Sequence, residues 1–261
     1  MNDLRGQTVL LTGASGGLGP YMAARLRAEG ASLILTGRDE DALRQVATSV
    51  GADRVVVADL SRREEVASLP ERAGHIDILV ASAAVPAMGE LADFTVEQID
   101  RAVDVNLRSA IVLANRLLPS MLSRRSGHIV LLASMHGKIP AALVSVYNAT
   151  KFGLRGFGLA LAQELKGTGV GVSVINPTFV SSAGMWAETG TTTHPLAGQA
   201  TPEQVAEAVI RGIRENRVEI DVAPLGARLA AASPHLVGVV ARRLGATTVP
   251  AAAVDHHLAR R

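Results

Sequence analysis

The chain has 261 residues, of which 48% are hydrophobic, 19% charged and 3% aromatic. This content of hydrophobic residues excludes extensive disorder, and the length suits one large globular domain or two small ones. The sequence contains no cysteine, which excludes a disulfide scaffold, a cysteine-ligated metal centre and a thiolate nucleophile. We therefore expect a folded protein of a reducing compartment, the cytoplasm.

Charge is unevenly distributed along the chain, whose formal net charge is +2. Residues 222–261 contain five arginines and one aspartate, so this tail carries +4 and the remainder carries −2. A body with that balance is not expected to bind nucleic acid. The N-terminus lacks a basic segment followed by an apolar one, and the longest uncharged stretch, 167–187, contains Asn, Pro, Ser and Gly. We expect neither a signal peptide nor a membrane span, and at most a peripheral membrane contact.

Short apolar runs alternate with helical patterns along residues 1–222. The runs predict seven strands, at 8–12, 32–36, 54–58, 77–81, 128–133, 170–175 and 217–222. Each run is continuously apolar, as a parallel strand covered by helices on both faces requires. The alternation predicts an α/β fold, a doubly wound seven-stranded parallel sheet of the Rossmann type in a single domain.

Two segments interrupt this alternation. Residues 181–200 are rich in Gly, Thr and Ser and contain the only Trp, which predicts a substrate lid or, alternatively, a disordered surface loop. Residues 223–261 form a basic, apolar tail in which Arg242 and Arg243 stand among Leu and Val. This tail could lie on an anionic membrane surface, and the alternative is that it packs on the domain or on another subunit.

A glycine-rich loop follows the first strand and leads into a helix. It reads Thr12-Gly-Ala-Ser-Gly-Gly-Leu-Gly19, with Gly13, Ser15, Gly17, Leu18 and Gly19 as its candidate cofactor-binding residues. Glycines here permit a tight turn and a close approach of backbone N–H groups to a pyrophosphate, which also meets the positive end of the helix dipole. An ordinary strand-to-helix turn is the alternative.

Residues at the ends of the second and third strands indicate which nucleotide binds. Arg38 stands where an acidic residue would bind a ribose 2′-hydroxyl, and a guanidinium there favours the 2′-phosphate of NADP. A solvated arginine, and NAD as the cofactor, are the alternatives. Asp59 and Leu60 follow the third strand and are placed to contact the adenine.

Tyr147 and Lys151 are four residues apart and therefore share one face of a helix. An ammonium beside a phenol favours the phenolate. Lowering a tyrosine pKa from about 10 to near 7 requires about 4 kcal/mol, which a lysine and a cationic nicotinamide together could supply. Tyr147 would then serve as an acid or a base.

These motifs together resemble the short-chain dehydrogenase/reductase family. The resemblance rests on the Gly loop, on Asn106 in Asp-Val-Asn-Leu, on Ser134, and on Tyr147-x-x-x-Lys151, and it spans roughly residues 5–222. It implies that Tyr147 exchanges a proton with the substrate oxygen and that Ser134 hydrogen-bonds that oxygen. Lys151 would bind the nicotinamide ribose and lower the tyrosine pKa, and Asn106 would hold a water that links Lys151 to solvent.

The resemblance also implies contacts to the nicotinamide and to the fourth strand. Pro177, the Val180 amide and the Ser182 hydroxyl would lie at the carboxamide, in a segment where Thr178 replaces the family's usual Gly. Residues 81–84, Ala-Ser-Ala-Ala, replace the usual Asn-Asn-Ala-Gly and include the cofactor contacts Ser82 and Ala83. This departure puts the usual bracing of the fourth strand in doubt, with Ser82 as a partial replacement for an amide. We expect weaker or altered cofactor affinity and an intact reaction.

The sequence thus predicts an NADP-dependent oxidoreductase that acts on the carbonyl or alcohol of a small, apolar molecule. The alternatives are an NAD-dependent alcohol dehydrogenase of the same family and a non-catalytic nucleotide-binding protein. Helices over 97–124 and 145–166 resemble those that pair subunits in family dimers and tetramers, so a homo-oligomer is expected. The seven histidines show no metal-ligand spacing, and no metal site is predicted. His136 is either a substrate-pocket residue or an ordinary turn residue.

Overall fold

The computed structural model of the protein describes residues 3–184 and 198–232. Its strands are β1 (Thr8–Thr12), β2 (Ser32–Gly37), β3 (Arg54–Val57), β4 (Ile78–Ala81), β5 (Gly127–Leu132), β6 (Val170–Pro177), β7 (Phe179–Val180), β8 (Gln199–Ala200) and β9 (Glu219–Val222). Its α-helices in these ranges are α1 (Gly19–Ala28), α2 (Glu40–Val50), α3 (Arg63–Ala73), α4 (Val96–Val103), α5 (Ser109–Arg124), α6 (Ser145–Glu164), α7 (Pro202–Glu215) and α8 (Leu225–Ala232).

Seven strands form one parallel sheet in the order β3-β2-β1-β4-β5-β6-β9. This order confirms the predicted doubly wound sheet, and its direction reverses between β1 and β4, the switch point at which such folds bind ligands. The prediction missed a second, parallel pair, β7 with β8. The predicted lid at 181–200 begins directly after β7 and ends with β8. Its residues 185–197 are outside the described ranges.

Both faces of the sheet are covered, which explains why the strands are continuously apolar. In β1, Leu10 belongs to the core on the face of α3, α5 and α6. Val9 and Leu11 belong to the core on the face of α1, α2 and α7. All three side chains are fully buried. Successive residues of a strand point to opposite faces, so most positions of a doubly covered strand are apolar.

Helix boundaries follow local signals in the sequence. Thr201 and Gln204 form a reciprocal capping box at the start of α7. Pro202, in the first turn, also favours a helix start at this position. The predicted helix over 97–124 is α4 and α5, joined without a break by a π-helical turn at Asp104–Arg108. Such single π turns are common at functional sites, and this one carries Asn106.

The described part of the tail is α8, which buries no residue. Its Leu225 and Leu229 are 67% and 63% exposed and stand one helical turn apart. The rest of the predicted tail, including Arg242 and Arg243, lies outside the described residues. Among the described helices, none combines the length and apolar character needed to cross a membrane. The same residues include no cluster of three or more His, Cys, Asp or Glu able to hold a metal ion.

Candidate active site

A cavity of about 670 Å³ lies along the carboxyl ends of the parallel strands. Most of the predicted site residues line it. They are Gly13, Ser15, Gly17, Leu18, Gly19, Arg38, Asp59, Leu60, Ser82, Ala83, Ser134, Tyr147, Lys151, Pro177 and Val180. The predicted Asn106 and Ser182 do not line it. Residues far apart in the sequence therefore meet here because parallel strands end at the same edge of the sheet.

The glycine loop at the start of the cavity is built around Gly13. Its φ is +67°, and a Cβ at this position would lie 2.7 Å from the Cα of Ala83. The loop thus requires a glycine both for its backbone conformation and for the close approach of the chain after β4.

Backbone hydrogen bonds brace the segment that follows β4. The Thr12 hydroxyl oxygen accepts hydrogen bonds from the backbone N–H groups of Ser82 and Ala83, at 3.0 and 3.1 Å. Thr12 of β1 therefore fixes this segment through its backbone, although the usual side-chain amides are absent from residues 81–84.

Arg38, Asp59 and Leu60 lie at the other end of the cavity. The carboxylate of Asp39, next to Arg38, accepts a hydrogen bond from the Ala42 N–H and caps α2. The carboxylate of Asp59 accepts hydrogen bonds from Ser61. Neither acid forms an ion pair with Arg38, whose guanidinium is thus available to an anionic ligand.

Ser134, Tyr147 and Lys151 lie together where β5 ends against α6. The Ser134 hydroxyl donates to the Pro177 carbonyl oxygen at 3.4 Å and accepts from the His136 N–H at 3.1 Å, and it also interacts with the Tyr147 side chain. The Nζ of Lys151 donates a hydrogen bond of 2.8 Å to the Leu132 carbonyl oxygen and lies 5.7 Å from the centre of the Tyr147 ring. All three residues are buried, so the reacting groups are held in a desolvated environment.

Burial controls the protonation states of these groups. It raises the pKa of Tyr147 to about 12, against the opposite effect of the hydrogen bond from Ser134. It lowers the pKa of Lys151 to about 8. The predicted lowering of the tyrosine pKa depends on Lys151 together with a cationic nicotinamide, so it stays a prediction for the protein with its cofactor bound. Tyr147 is a neutral phenol at physiological pH.

Asn106 is buried beneath the cavity and its side-chain amide is fully engaged. The Oδ1 atom accepts from the Val85 N–H at 2.7 Å, and Nδ2 donates to the Val85 carbonyl oxygen at 3.0 Å. These contacts do not test whether Asn106 holds a water that links Lys151 to solvent, which stays a prediction. Its amide clamps the segment after β4 to the π-helical turn.

Ser182 also differs from its expected position. Its φ is +59°, its side chain is exposed, and its hydroxyl donates to the carbonyl oxygen of Ser181 at 2.7 Å. This conformation turns the hydroxyl away from the cavity. The same segment brings the Gly184 backbone against Gly17, where no side chain could be accommodated.

Several apolar residues that the sequence analysis did not identify line the cavity beyond Tyr147. They include Val85, Pro86, Met88, Phe94 and Phe179. Their signal in the sequence is weak, because no periodic pattern of apolar residues marks them.

His136 lies among these residues and lines the cavity from the turn at Met135–Gly137. Its ring packs edge-on to Tyr147 and Phe179, with centroid distances of 6.0 and 5.6 Å. Burial lowers the pKa of His136 to about 4, so the imidazole is neutral at physiological pH.

Asn148, next to Tyr147 on α6, positions the loop that follows Ser134. Its Nδ2 donates to the carbonyl oxygens of His136 and Ile139, and its Oδ1 accepts from the Ala141 N–H. The only sequence signal for this role was the presence of a polar residue next to Tyr147 within a predicted helix.

The match to known proteins agrees with this geometry. The profile of the family described as short chain dehydrogenase matches residues 7–194. The chain belongs to the short-chain dehydrogenase/reductase family. It is therefore an oxidoreductase of a family that uses a nicotinamide cofactor.

Individual family members can be compared in more detail. The chain is 39% identical over 230 residues to the ketoacyl reductase HetN of Nostoc sp., covering 85% of this chain and 80% of that protein. A short-chain dehydrogenase from Sphingobium yanoikuyae, solved in complex with NADPH, superposes with a TM-score of 0.77 at 27% identity over 90% of this chain and 95% of its own. The actinorhodin polyketide ketoreductase, solved with NADPH, superposes with a TM-score of 0.76 at 28% identity, over 84% of this chain and 96% of its own.

Proposed function

We propose that the protein is an NADP(H)-dependent reductase of the carbonyl group of a small, apolar molecule, with Tyr147 as the proton donor. One observation supports this most strongly. Ser134, Tyr147 and Lys151 lie at one end of a continuous cavity, and Arg38, which forms no ion pair with a described residue, lies at the other end.

The described residues fit a dinucleotide. The cavity of about 670 Å³ falls within the range of ligand pockets, roughly 300–1,000 Å³. The loop from Gly13 to Gly19 would hold the pyrophosphate, Arg38 the 2′-phosphate and Lys151 the nicotinamide ribose. Asp59, Leu60, Ala83 and Val180 would complete the contacts. When bound, the cofactor supplies a hydride to the substrate carbonyl carbon.

The chain's own residues supply the proton and the orientation. A carbonyl oxygen placed beside the hydrogen-bonded hydroxyls of Ser134 and Tyr147 would accept a hydrogen bond from each. As negative charge develops on that oxygen, Tyr147 transfers its proton to it and the product is an alcohol. The ammonium of Lys151, 5.7 Å from the ring centre, stabilises the phenolate that remains.

The substrate class follows from the lining beyond Tyr147. Met88, Phe94 and Phe179 are apolar, and His136 is neutral, so this end of the cavity favours an uncharged, hydrophobic group. Two similar proteins are named as ketoacyl and polyketide ketoreductases. We therefore propose that 3-oxoacyl compounds are the first substrates to test.

The test is a carbonyl-reduction assay that follows the loss of NADPH absorbance. A panel of 3-oxoacyl thioesters, apolar ketones and charged keto acids is offered to the wild type and to Tyr147→Phe. Turnover of the thioesters or the ketones that depends on Tyr147 supports the proposal. Turnover of only the charged keto acids would contradict the apolar substrate class.

An NAD-dependent alcohol dehydrogenase and a non-catalytic nucleotide-binding protein remain the competing proposals. Arg38 argues against NAD, and the complete Ser, Tyr and Lys set argues against loss of catalysis. Activity with NADH and an alcohol alone would favour the first. Binding of a dinucleotide without turnover of any substrate would favour the second.

We further propose that residues 1–222 form the catalytic unit and that it works in the cytoplasm as a homo-oligomer, a dimer or tetramer. No nucleic acid is expected to bind. The tail after residue 222 would contact an anionic membrane or pack on another subunit. The exposed Leu225 and Leu229 of α8 support a role in contact. Deletion of residues 228–261 distinguishes the two, since only a membrane tether would lose binding to anionic vesicles.

A further inference from the structure

Two arginines line the end of the cavity at which Asp59 and Leu60 lie. Arg38 follows β2 and Arg101 lies on α4, and both line the main cavity and an adjoining groove of about 410 Å³. The same groove contains the carboxylates of Asp59, Glu97, Asp100 and Asp104. Neither arginine forms an ion pair with any of these acids within the described ranges.

Arg101 lacks the partner that its position on the helix would offer. Asp104 is three residues further along, within reach on the same helical face. Its Oδ1 is instead 3.3 Å from the Nε of Arg63 and 3.9 Å from the Nε of Arg108. The Nε of Arg101 is buried without a hydrogen-bond partner among the described residues. A buried N–H without an acceptor is unfavourable, so this group is expected to receive one from a ligand.

The charges of the groove specify an anionic ligand. Two guanidinium groups that line one groove repel each other unless an anion lies between them. Asp104 is compensated by Arg63 and Arg108, and Glu97 and Asp100 are exposed, where solvent and salt screen their charge. The carboxylate of Asp59, the fourth acid of the groove, accepts hydrogen bonds from Ser61 and forms no ion pair with either arginine within the described ranges. Both guanidinium groups therefore remain available to a phosphate dianion.

We infer that Arg101 is a second determinant of NADP(H) specificity, which binds the 2′-phosphate together with Arg38. This inference rests on the proposed function, because it assumes that the adenosine lies at Asp59 and Leu60. A guanidinium is suited to the role since it can donate two parallel hydrogen bonds to phosphate oxygens, which an ammonium cannot.

The test is calorimetric titration of the full chain with adenosine 2′,5′-bisphosphate and with 5′-AMP, which differ only in the 2′-phosphate. Arg101→Gln is expected to weaken binding of the bisphosphate at least about tenfold and binding of 5′-AMP less than about twofold. Arg101→Lys should recover part of the loss. Arg116→Gln removes an exposed arginine of α5 outside the cavity and controls for net charge. If Arg101→Gln does not fold, the test uses Arg101→Lys, which should weaken binding of the bisphosphate more than binding of 5′-AMP.

The outcomes separate this inference from the proposed function. Equal weakening of both nucleotides by Arg101→Gln would overturn the inference in favour of an adenine contact. Unchanged binding of both would overturn it outright, while a wild-type preference for the bisphosphate would leave the NADP proposal standing. A wild type without that preference would overturn the NADP proposal and this inference together.

Discussion

The ammonium of Lys151 lies 5.7 Å from the centre of the Tyr147 ring while it donates a hydrogen bond to the Leu132 carbonyl oxygen. The lysine is thus anchored to β5 and acts on the tyrosine through space. Burial raises the pKa of Tyr147 to about 12, so the phenol keeps its proton at physiological pH. A protonated phenol is the form needed to reduce a carbonyl, whereas oxidation of an alcohol needs the phenolate.

Tyr147→Phe removes the proton donor and keeps the ring that packs on His136. We expect turnover to fall roughly a hundredfold to ten-thousandfold, the usual contribution of a general acid, with nearly unchanged NADPH affinity. Steady-state kinetics and cofactor titration measure the two effects. Tyr21→Phe, at the chain's other tyrosine on α1, is the matched control. Retained turnover in Tyr147→Phe would remove Tyr147 from the acid role.

Arg38→Ala removes the guanidinium assigned to the 2′-phosphate. NADPH should bind at least about tenfold more weakly, about 1.4 kcal/mol, while NADH affinity changes little. The control is Arg44→Ala, which removes an exposed arginine of α2 that pairs with Glu40. Equal losses for the two cofactors would mean that Arg38 does not distinguish them.

The pH dependence of reduction should report Lys151. Its pKa is lowered to about 8 by burial, so the ammonium is present below that pH and is lost above it. Since the ammonium stabilises the phenolate formed during the reaction, kcat for reduction should decline above about pH 8. Lys151→Met should be slower and lack this decline, whereas the exposed Lys166→Met should keep it. The same decline in Lys151→Met would assign it to another group.

Gly13→Ala tests the packing of the glycine loop on Ala83. Both Gly13 and Gly6 have positive φ, +67° and +74°, but a Cβ at Gly6 meets no atom within 4 Å. Gly6→Ala should therefore cost about 1 kcal/mol of unfolding free energy for its backbone conformation alone. Gly13→Ala should cost about 1–3 kcal/mol more for the clash and should weaken NADPH binding. Equal costs in urea denaturation would contradict the proposed close approach.

His128 should make the fold sensitive to acid. Burial lowers its pKa from 6.5 to about 4, and its Nε2 is 2.9 Å from the Ser173 hydroxyl oxygen. Between about pH 4 and pH 6.5, the His128 imidazole binds a proton in the unfolded chain and stays neutral in the native protein. The contribution of His128 to the free energy of unfolding is therefore fully present above pH 6.5 and is lost as the pH falls towards 4.

The loss from His128 should reach about 2 kcal/mol on going from pH 7 to pH 5. His128→Gln should remove this part of the acid sensitivity in urea denaturation, and the exposed His75→Gln should not. An unchanged pH dependence in His128→Gln would show that other groups cause it.

The sheet was predictable because each of its strands carries a local signal. The seven apolar runs and the capping residues Thr201 and Pro202 lie within short segments, and the Tyr147 and Lys151 pair lies on one helix. The pKa of Tyr147 was not predictable, because desolvation depends on what the rest of the chain places around the phenol. The bracing by Thr12 and the position of Arg101 beside Arg38 join segments that are distant in the sequence. Only the folded sheet brings these segments together.

The most direct test of the account is titration of the purified protein with NADPH and with NADH, following nicotinamide fluorescence. The account predicts at least about tenfold tighter binding of NADPH, about 1.4 kcal/mol, because Arg38, which pairs with no acid of the described residues, is available for the 2′-phosphate. Tighter binding of NADH, or binding of neither cofactor, would contradict it.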